Sequence, residues 1–424
     1  MSDELVSDGR VAGLSAEALA AEFGTPLYVY DLDAVAARVA ALQQALPPSF
    51  ELAYAAKANP ALAVLAEMGR AGLGLDVASG GELLAASRAG LDASRIVFTG
   101  PGKRDTELAA AVTAGLRAVT VESCGELARL ERAAAAAGRV VRILLRLAVD
   151  GDAEATPILG GGWRKFGIDP AELETVARQA HASPWLDLLG LHAFGASNVT
   201  DADAIAAHVA RTVDAAAALA RRVGFALRLV DVGGGLGVPY RDGTPSLDLD
   251  RLGRRLASMA AGWAADAELA ELPVLLEPGR YLTAPCGLLL ARVIDRKRVG
   301  GRAVAILDTG IHHALRPVLV GAGHRLRLLG AAERPVAADD PTLVAGPLCT
   351  GLDIFPGGLD DVPEPGDLVA IGDLGAYGFS ESMPYFLSHP TPAEVAIRGG
   401  RAELIRRRVE PEELLAAQLL PSWA

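Results

Sequence analysis

Two kinds of segment alternate between about residue 30 and residue 283. One is a short apolar run ending in a small or polar residue: 51-ELAYAAKANP, 73-LGLDVASGG, 95-RIVFTGPG, 117-RAVTVES, 141-VRILLRL, 188-LLGLHAFGASN, 227-LRLVDVGGG and 273-PVLLEPGR. The other is rich in Ala, Leu, Glu and Arg at helical spacing, as in 104-RDTELAAAVTAG and 124-CGELARLERAAAAAG. Unbroken apolar runs of this length predict strands buried on both faces of a parallel sheet, with the alanine-rich stretches as crossover helices. Eight repeats over roughly 250 residues match a (β/α)8 barrel. Beyond it the helical pattern nearly vanishes. Short β-rich runs follow, among them 287-GLLLARVIDRKRV, 303-AVAILDTG, 325-RLRLLG, 367-DLVAIGDLGAYG and 394-EVAIRGGRAELIRR, punctuated by Pro and Gly. The expected architecture is α/β: a TIM-like barrel over 31–283, then a mostly antiparallel β domain over 284–424. The segment 1–30 packs with the β domain, its 25-TPLYVYDLD adding a strand.

Composition narrows the function classes. Of 424 residues, 51% are hydrophobic and 22% charged, enough for two domains with real cores. A net charge of −12 with no basic run argues against nucleic acid or an anionic membrane as partner. Cys124, Cys286 and Cys349 lie far apart, which fits neither a disulfide framework nor a zinc knuckle. The start, MSDELVSDGR, is unlike a signal peptide, and no uncharged apolar run reaches the length of a membrane span. A cytoplasmic protein is the expectation. The seven histidines lack ligand spacing, so no metal is expected, and 312-HH and His324 are expected to line a loop.

In a (β/α)8 barrel the chemistry collects where the strands end, and here those ends are loaded. The first ends at Lys57 among small apolar residues, where lost solvation would lower an amine's pKa and make it nucleophilic. The second offers Asp76, with Glu82 following; the sixth ends in His192. The seventh runs into 231-DVGGGLG, whose glycines let backbone N–H groups approach an anion. The eighth ends in 277-EPGR. Singly, each has a plain alternative: a rim lysine, a core histidine, a tight turn, a surface ion pair. Together they suggest a phosphorylated aldehyde cofactor, with pyridoxal phosphate the leading candidate.

YAAKAN, DVASGGEL, KFGI, LHAFGAS, DVGGGLG, EPGR, CTGLD and GAYGFS occur in this order over residues 54–380. The chain resembles the fold-type III pyridoxal-phosphate decarboxylases, the group of diaminopimelate and ornithine decarboxylases with an alanine racemase-like N-terminal barrel. The resemblance implies that Lys57 bonds the cofactor, that His192 stacks on its ring, and that Glu277 pairs with the ring nitrogen. It implies that Gly234, Gly235, Arg280 and Tyr377 hold the phosphate, with Asp76, Ser197 and Gly279 as further cofactor contacts. Cys349 would return a proton to the product carbon. Cys349 and Asp353 would complete the neighbouring subunit's site, which implies a homodimer. Racemases on this barrel carry an arginine at the position of Glu277, so Glu277 favours decarboxylation.

Substrate choice departs from the pattern. Thr350 follows Cys349 where diaminopimelate decarboxylases carry glutamate and ornithine decarboxylases aspartate. A neutral hydroxyl supplies no charge-assisted hydrogen bond to a distal ammonium. In 315-LRPVLV, Arg316 matches the arginine that grips a distal carboxylate, but Val320 replaces a usual tyrosine. In 192-HAFGASN the spacing to Ser197 is longer than usual. Arg280, Arg316, Thr350, Asp353 and Tyr377 are the substrate-side candidates. The expected activity is decarboxylation of an amino acid, with a modified or carrier-tethered substrate ahead of meso-diaminopimelate and a carrier protein as an added partner. The competing readings are an amino-acid racemase and a non-catalytic binding protein. The 150-DGDAEATPILGGGW stretch has the small-residue content of a lid.

Overall fold

The computed structural model describes residues 5–7, 9–149, 165–240, 243–321, 323–330 and 341–423. The lid candidate at 150–163 lies outside them. The chain forms two compact units, one of residues 36–238 and 245–281, the other of 1–35, 239–244 and 282–424.

The first unit is a closed parallel barrel. Its strands are Phe50–Ala55, Gly74–Val77, Ile96–Phe98, Ala118–Val121, Val141–Arg146, Leu186–His192, Leu229–Asp231 and Val274–Leu276. Each apolar run of the sequence became a strand, and the eighth closes on the first through Val274 against Phe50 and Leu276 against Leu52. Ala53, Val97, Ala118, Leu144, Leu189, Leu229 and Leu275 fill the interior, so the barrel is a packed core and its only chemistry is at the ends. Helix starts are set locally. Ser79 accepts from the N–H of Glu82 and Ser123 from that of Glu126, while Glu82 and Glu126 reach back to the N–H groups of Ala78 at 2.7 Å and Glu122 at 2.8 Å. The serines cap the helices, and each glutamate bonds the residue just before the cap. Glu82 is thereby occupied at a helix start.

The second unit is a mixed, mainly antiparallel sheet ordered Leu326–Leu329, Leu368–Ile371, Gly287–Val299, Leu27–Asp31, Ala393–Arg398, Arg401–Arg406; Arg302–Leu307 also pairs with Gly287–Val299 and with Leu343–Ala345. Leu27–Asp31 runs antiparallel to Gly287–Leu290 and parallel to Ala393–Ile397. Gly399 and Gly400, both at positive φ, make the two-residue turn that closes the last hairpin.

His312 and His313, expected to line a loop, lie between the strand Arg302–Leu307 and the helix Arg316–Val320. They occupy a turn, yet are 0% and 1% exposed, with ring centroids 3.6 Å apart and His389 4.9 Å from His312. Burial, then neighbouring imidazole charge, pushes His312 down to about 4 and His313 to about 2. The unfolded chain takes up these protons below about pH 6.5, while the folded chain refuses them. Stability therefore falls as the pH drops from about 6.5 through 4. The expected result is a Tm that rises with pH over this window, with a shallower slope in His312→Gln. Equal slopes by circular dichroism would refute the assignment.

Candidate active site

The barrel's two sides differ in how their polar groups are satisfied. Around the third to fifth strands the polar groups satisfy one another. Lys103 Nζ donates to Gly100 O at 2.8 Å, Thr120 O at 2.6 Å and Glu126 Oε1 at 2.7 Å. Arg146 Nη1 meets Glu122 Oε1 at 2.8 Å, and Glu122 also accepts from the N–H groups of Gly100 and Gly167. Around the first, second, sixth, seventh and eighth strands the reverse holds. Asp76 Oδ1, both ring nitrogens of His192, Asp231 Oδ2 and Glu277 Oε1 are buried without hydrogen-bond partners, although His192 Nε2 lies 3.5 Å from Glu277 Oε2. Unsatisfied buried polar atoms are costly and demand an explanation. A polar ligand that fits between them supplies one.

Lys57 follows the first strand in a 3-10 turn, Ala56–Ala58. Burial was expected, but the side chain is 44% exposed, and its Nζ lies 2.9 Å from Asp76 Oδ2. The small neighbours Ala56 and Ala58 are the buried ones, and the lysine is the exposed member of the turn. Burial and the charge of Glu277 raise Asp76, against the pull of Lys57.

His192, Asp231 and Glu277 form a buried cluster whose ligand atoms lie within 4.8 Å of one another. Burial alone would raise Glu277, but the neighbouring His192 and Lys57 outweigh it and hold the carboxyl at about 2. Asp231 moves the other way, pushed well above the usual carboxylate range by burial and by the Glu277 charge. The two neighbouring acids are driven apart, Glu277 toward the ionised form and Asp231 toward the protonated one. Asp231 is the member that the sequence reading missed, though it opens the 231-DVGGGLG motif. Its Oδ1 also accepts from Gly233 N–H at 2.9 Å.

The glycine turn is close-packed. A Cβ at Gly234 would stand 2.2 Å from Glu277 O, and one at Gly235, where φ is +98°, 2.2 Å from Ala196 O. Neither the Gly234 nor the Gly235 N–H donates to another described group, which leaves two donors for an anion. A Cβ at Gly279 would stand 2.9 Å from Ala58 Cβ, so this glycine seats the EPGR turn against the Lys57 turn; Arg280, 5% exposed, follows. Ser197 is half-buried after the sixth strand.

The remaining candidates belong to the second unit. Cys349 is exposed and Thr350 half-buried on one loop. The Thr350 Oγ1 accepts from Leu352 N–H at 3.3 Å. Asp353 points inward: 2% exposed, it accepts from Ile311 N–H at 2.8 Å and Leu348 N–H at 2.9 Å. It thus ties the Cys349 loop to the 309–313 turn. Asp353→Ala would orphan two buried N–H groups, and a loss of about 1–3 kcal/mol in chemical denaturation is expected. An unchanged midpoint would show that the tie is idle. Tyr377 holds φ +54°, and the Arg316 guanidinium sits 4.5 Å over its ring.

A parallel barrel with an amine–acid pair, a buried carboxylate and free N–H donors on one side of its rim defines a protein built to hold an anionic ligand beside an amine. Comparison with known proteins makes this specific. The family described as "Pyridoxal-dependent decarboxylase, pyridoxal binding domain" matches residues 32–284. Over 412 residues the chain is 34% identical to an L-glutamyl-[BtrI acyl-carrier protein] decarboxylase of Niallia circulans, covering 95% of both. It is 34% identical to a diaminopimelate decarboxylase of Methanothermobacter thermautotrophicus, covering 97% of this chain and 96% of that one. The crystal structure of a diaminopimelate decarboxylase from M. jannaschi superposes with a TM-score of 0.90 at 28% identity, covering 100% of this chain and 99% of that one. The chain belongs to the pyridoxal-dependent decarboxylases. It is a carboxy-lyase of amino-acid metabolism, and its cofactor is pyridoxal 5′-phosphate.

Proposed function

We propose that the enzyme removes the α-carboxyl group of an amino acid whose far end is joined to a larger molecule, a glutamyl thioester on a carrier protein being the first candidate. The observation that carries this is Thr350. Its hydroxyl is neutral and already accepts a backbone N–H, so this position offers no charge to a distal ammonium. The relative from Niallia circulans, which acts on a carrier-bound glutamyl group, supports the same reading. The second reading, free meso-diaminopimelate, rests on the diaminopimelate decarboxylases of comparable identity.

The rim fits the cofactor. Glu277 Oε1 is a buried acceptor without a donor, which a protonated ring nitrogen provides, and the Gly234 and Gly235 N–H groups are donors for a phosphate. Bound there, the group supplies an electron sink for the charge left on the α-carbon when carbon dioxide departs. Lys57 would hold it, with Asp76 orienting the amine. Glu277, ionised throughout the working range, would keep the ring nitrogen protonated, and His192 would pack against the ring. Arg280, Ser197 and Gly279 would add barrel contacts, and the family resemblance adds Tyr377. Cys349 would return the proton to the α-carbon, and Arg316 would face the substrate's far end. Asp353 positions the Cys349 loop.

Leu352 and Ile354, on that same loop, are 65% and 43% exposed. This supports a homodimer in which the loop meets a second copy. Among the described residues no helix is long and apolar enough to cross a membrane; the cytoplasm is the proposed place of action. The test is carbon dioxide release by the holoenzyme. A γ-glutamyl pantetheine thioester should react, and meso-diaminopimelate, ornithine, lysine, arginine and free glutamate should react at least about 10²-fold more slowly. Comparable turnover of free meso-diaminopimelate would replace this reading with the second.

A further inference from the structure

Arg316 is 3% exposed, yet its charge is already answered. Its Nη1 lies 3.0 Å from both Oε1 and Oε2 of Glu381, and its guanidinium lies over the Tyr377 ring. The pairing is built into the fold. Ser382, next to Glu381, accepts from the N–H of Leu315, next to Arg316, at 3.1 Å, and donates to Gly378 O at 2.8 Å. The two segments are thus fastened side by side. The Arg316 Nε remains, buried and without a partner.

A free carboxylate arriving here would share one guanidinium with the carboxylate of Glu381, giving a net negative, partly desolvated group. Like charges in such a site repel, and the second ion loses its hydration without a full counter-charge. A carbonyl oxygen brings no charge and needs a single N–H, which Nε offers. We infer that Glu381 is a specificity-determining residue: it neutralises Arg316 and sets the site for an amino acid whose distal carboxyl is carried as a neutral acyl group, whether thioester, ester or amide. This rests on the proposed placement of Arg316 at the substrate's far end. It works by discrimination against the charged alternative as much as by attraction to the neutral one.

The test uses holoenzyme and unreactive probes that lack the α-amine: glutarate against its monomethyl ester, and pimelate against its monomethyl ester, by calorimetry. Wild type should bind the ester of at least one pair about 10-fold more tightly than the diacid. Glu381→Gln should shift that ratio at least about 10-fold toward the diacid. Equal affinities, preference for the diacid, or no binding of any probe in wild type would overturn the inference. So would an unchanged ratio in a folded Glu381→Gln. If that variant does not fold, the wild-type ratio decides. Ester preference together with silence on the glutamyl thioester would retain the role of Glu381 and reject the glutamyl substrate, so the two failures are distinguishable.

Discussion

Lys57→Ala is expected to lower kcat/KM by about 10³-fold or more and to leave a folded protein that loses its cofactor on dialysis. The amine follows the first barrel strand, 2.9 Å from a carboxylate, and its side chain reaches the open rim. The chain holds four lysines, and the others are poor substitutes. Lys103 is 1% exposed with its amine bonded to Glu126 and two carbonyls. Lys297 lies in a strand of the second unit, and Lys165 lies over the Phe166 ring at 5.0 Å. Lys57 is itself partly exposed, but its removal leaves the buried Asp76 without its cation, so a thermal melt run beside the assay separates lost chemistry from lost folding. The check is the rate of carbon dioxide release together with the visible absorbance that survives dialysis. Retention of most of the activity would remove Lys57 from the site.

Glu277→Gln is expected to reduce kcat by about 10²–10³-fold with a much smaller change in KM. Glutamine preserves volume, so the buried cluster keeps its shape. What disappears is the negative charge that would hold a proton on the ring nitrogen. With its carboxyl at about 2, Glu277 stays ionised from pH 5 to 9, so the wild-type profile should show no inflection from it there. Steady-state kinetics and a thermal melt decide the matter. A KM effect alone, or a collapse of the fold, would mean that Glu277 serves binding or structure rather than the reaction.

The barrel was legible because parallel strands covered on both faces leave unbroken apolar runs such as 141-VRILLRL, and because each run ends at a chemically marked residue. The motifs on the rim were legible for the same reason: Lys57 and Glu277 follow a strand, His192 closes one, Asp76 is one residue from the end of another, and the closed barrel gathers those ends. What escaped the sequence lies between distant residues. Glu381 and Arg316 are 65 positions apart, and no periodicity links an acid in one loop to a base in another. Arg316 therefore read as free to grip a carboxylate. Asp231 was overshadowed by the glycines after it, because its role comes from contact with Glu277 across neighbouring strands. The burial expected of Lys57 was reversed, since small neighbours can fill the wall while the long side chain leaves it.

The most direct measurement needs no knowledge of the substrate. The holoenzyme is reduced with borohydride, digested, and the lysine bearing the pyridoxyl group is mapped by mass spectrometry. The account predicts the modification on Lys57 alone. Label on Lys103, Lys165 or Lys297, or on no lysine, would contradict the placement of the active site on this rim.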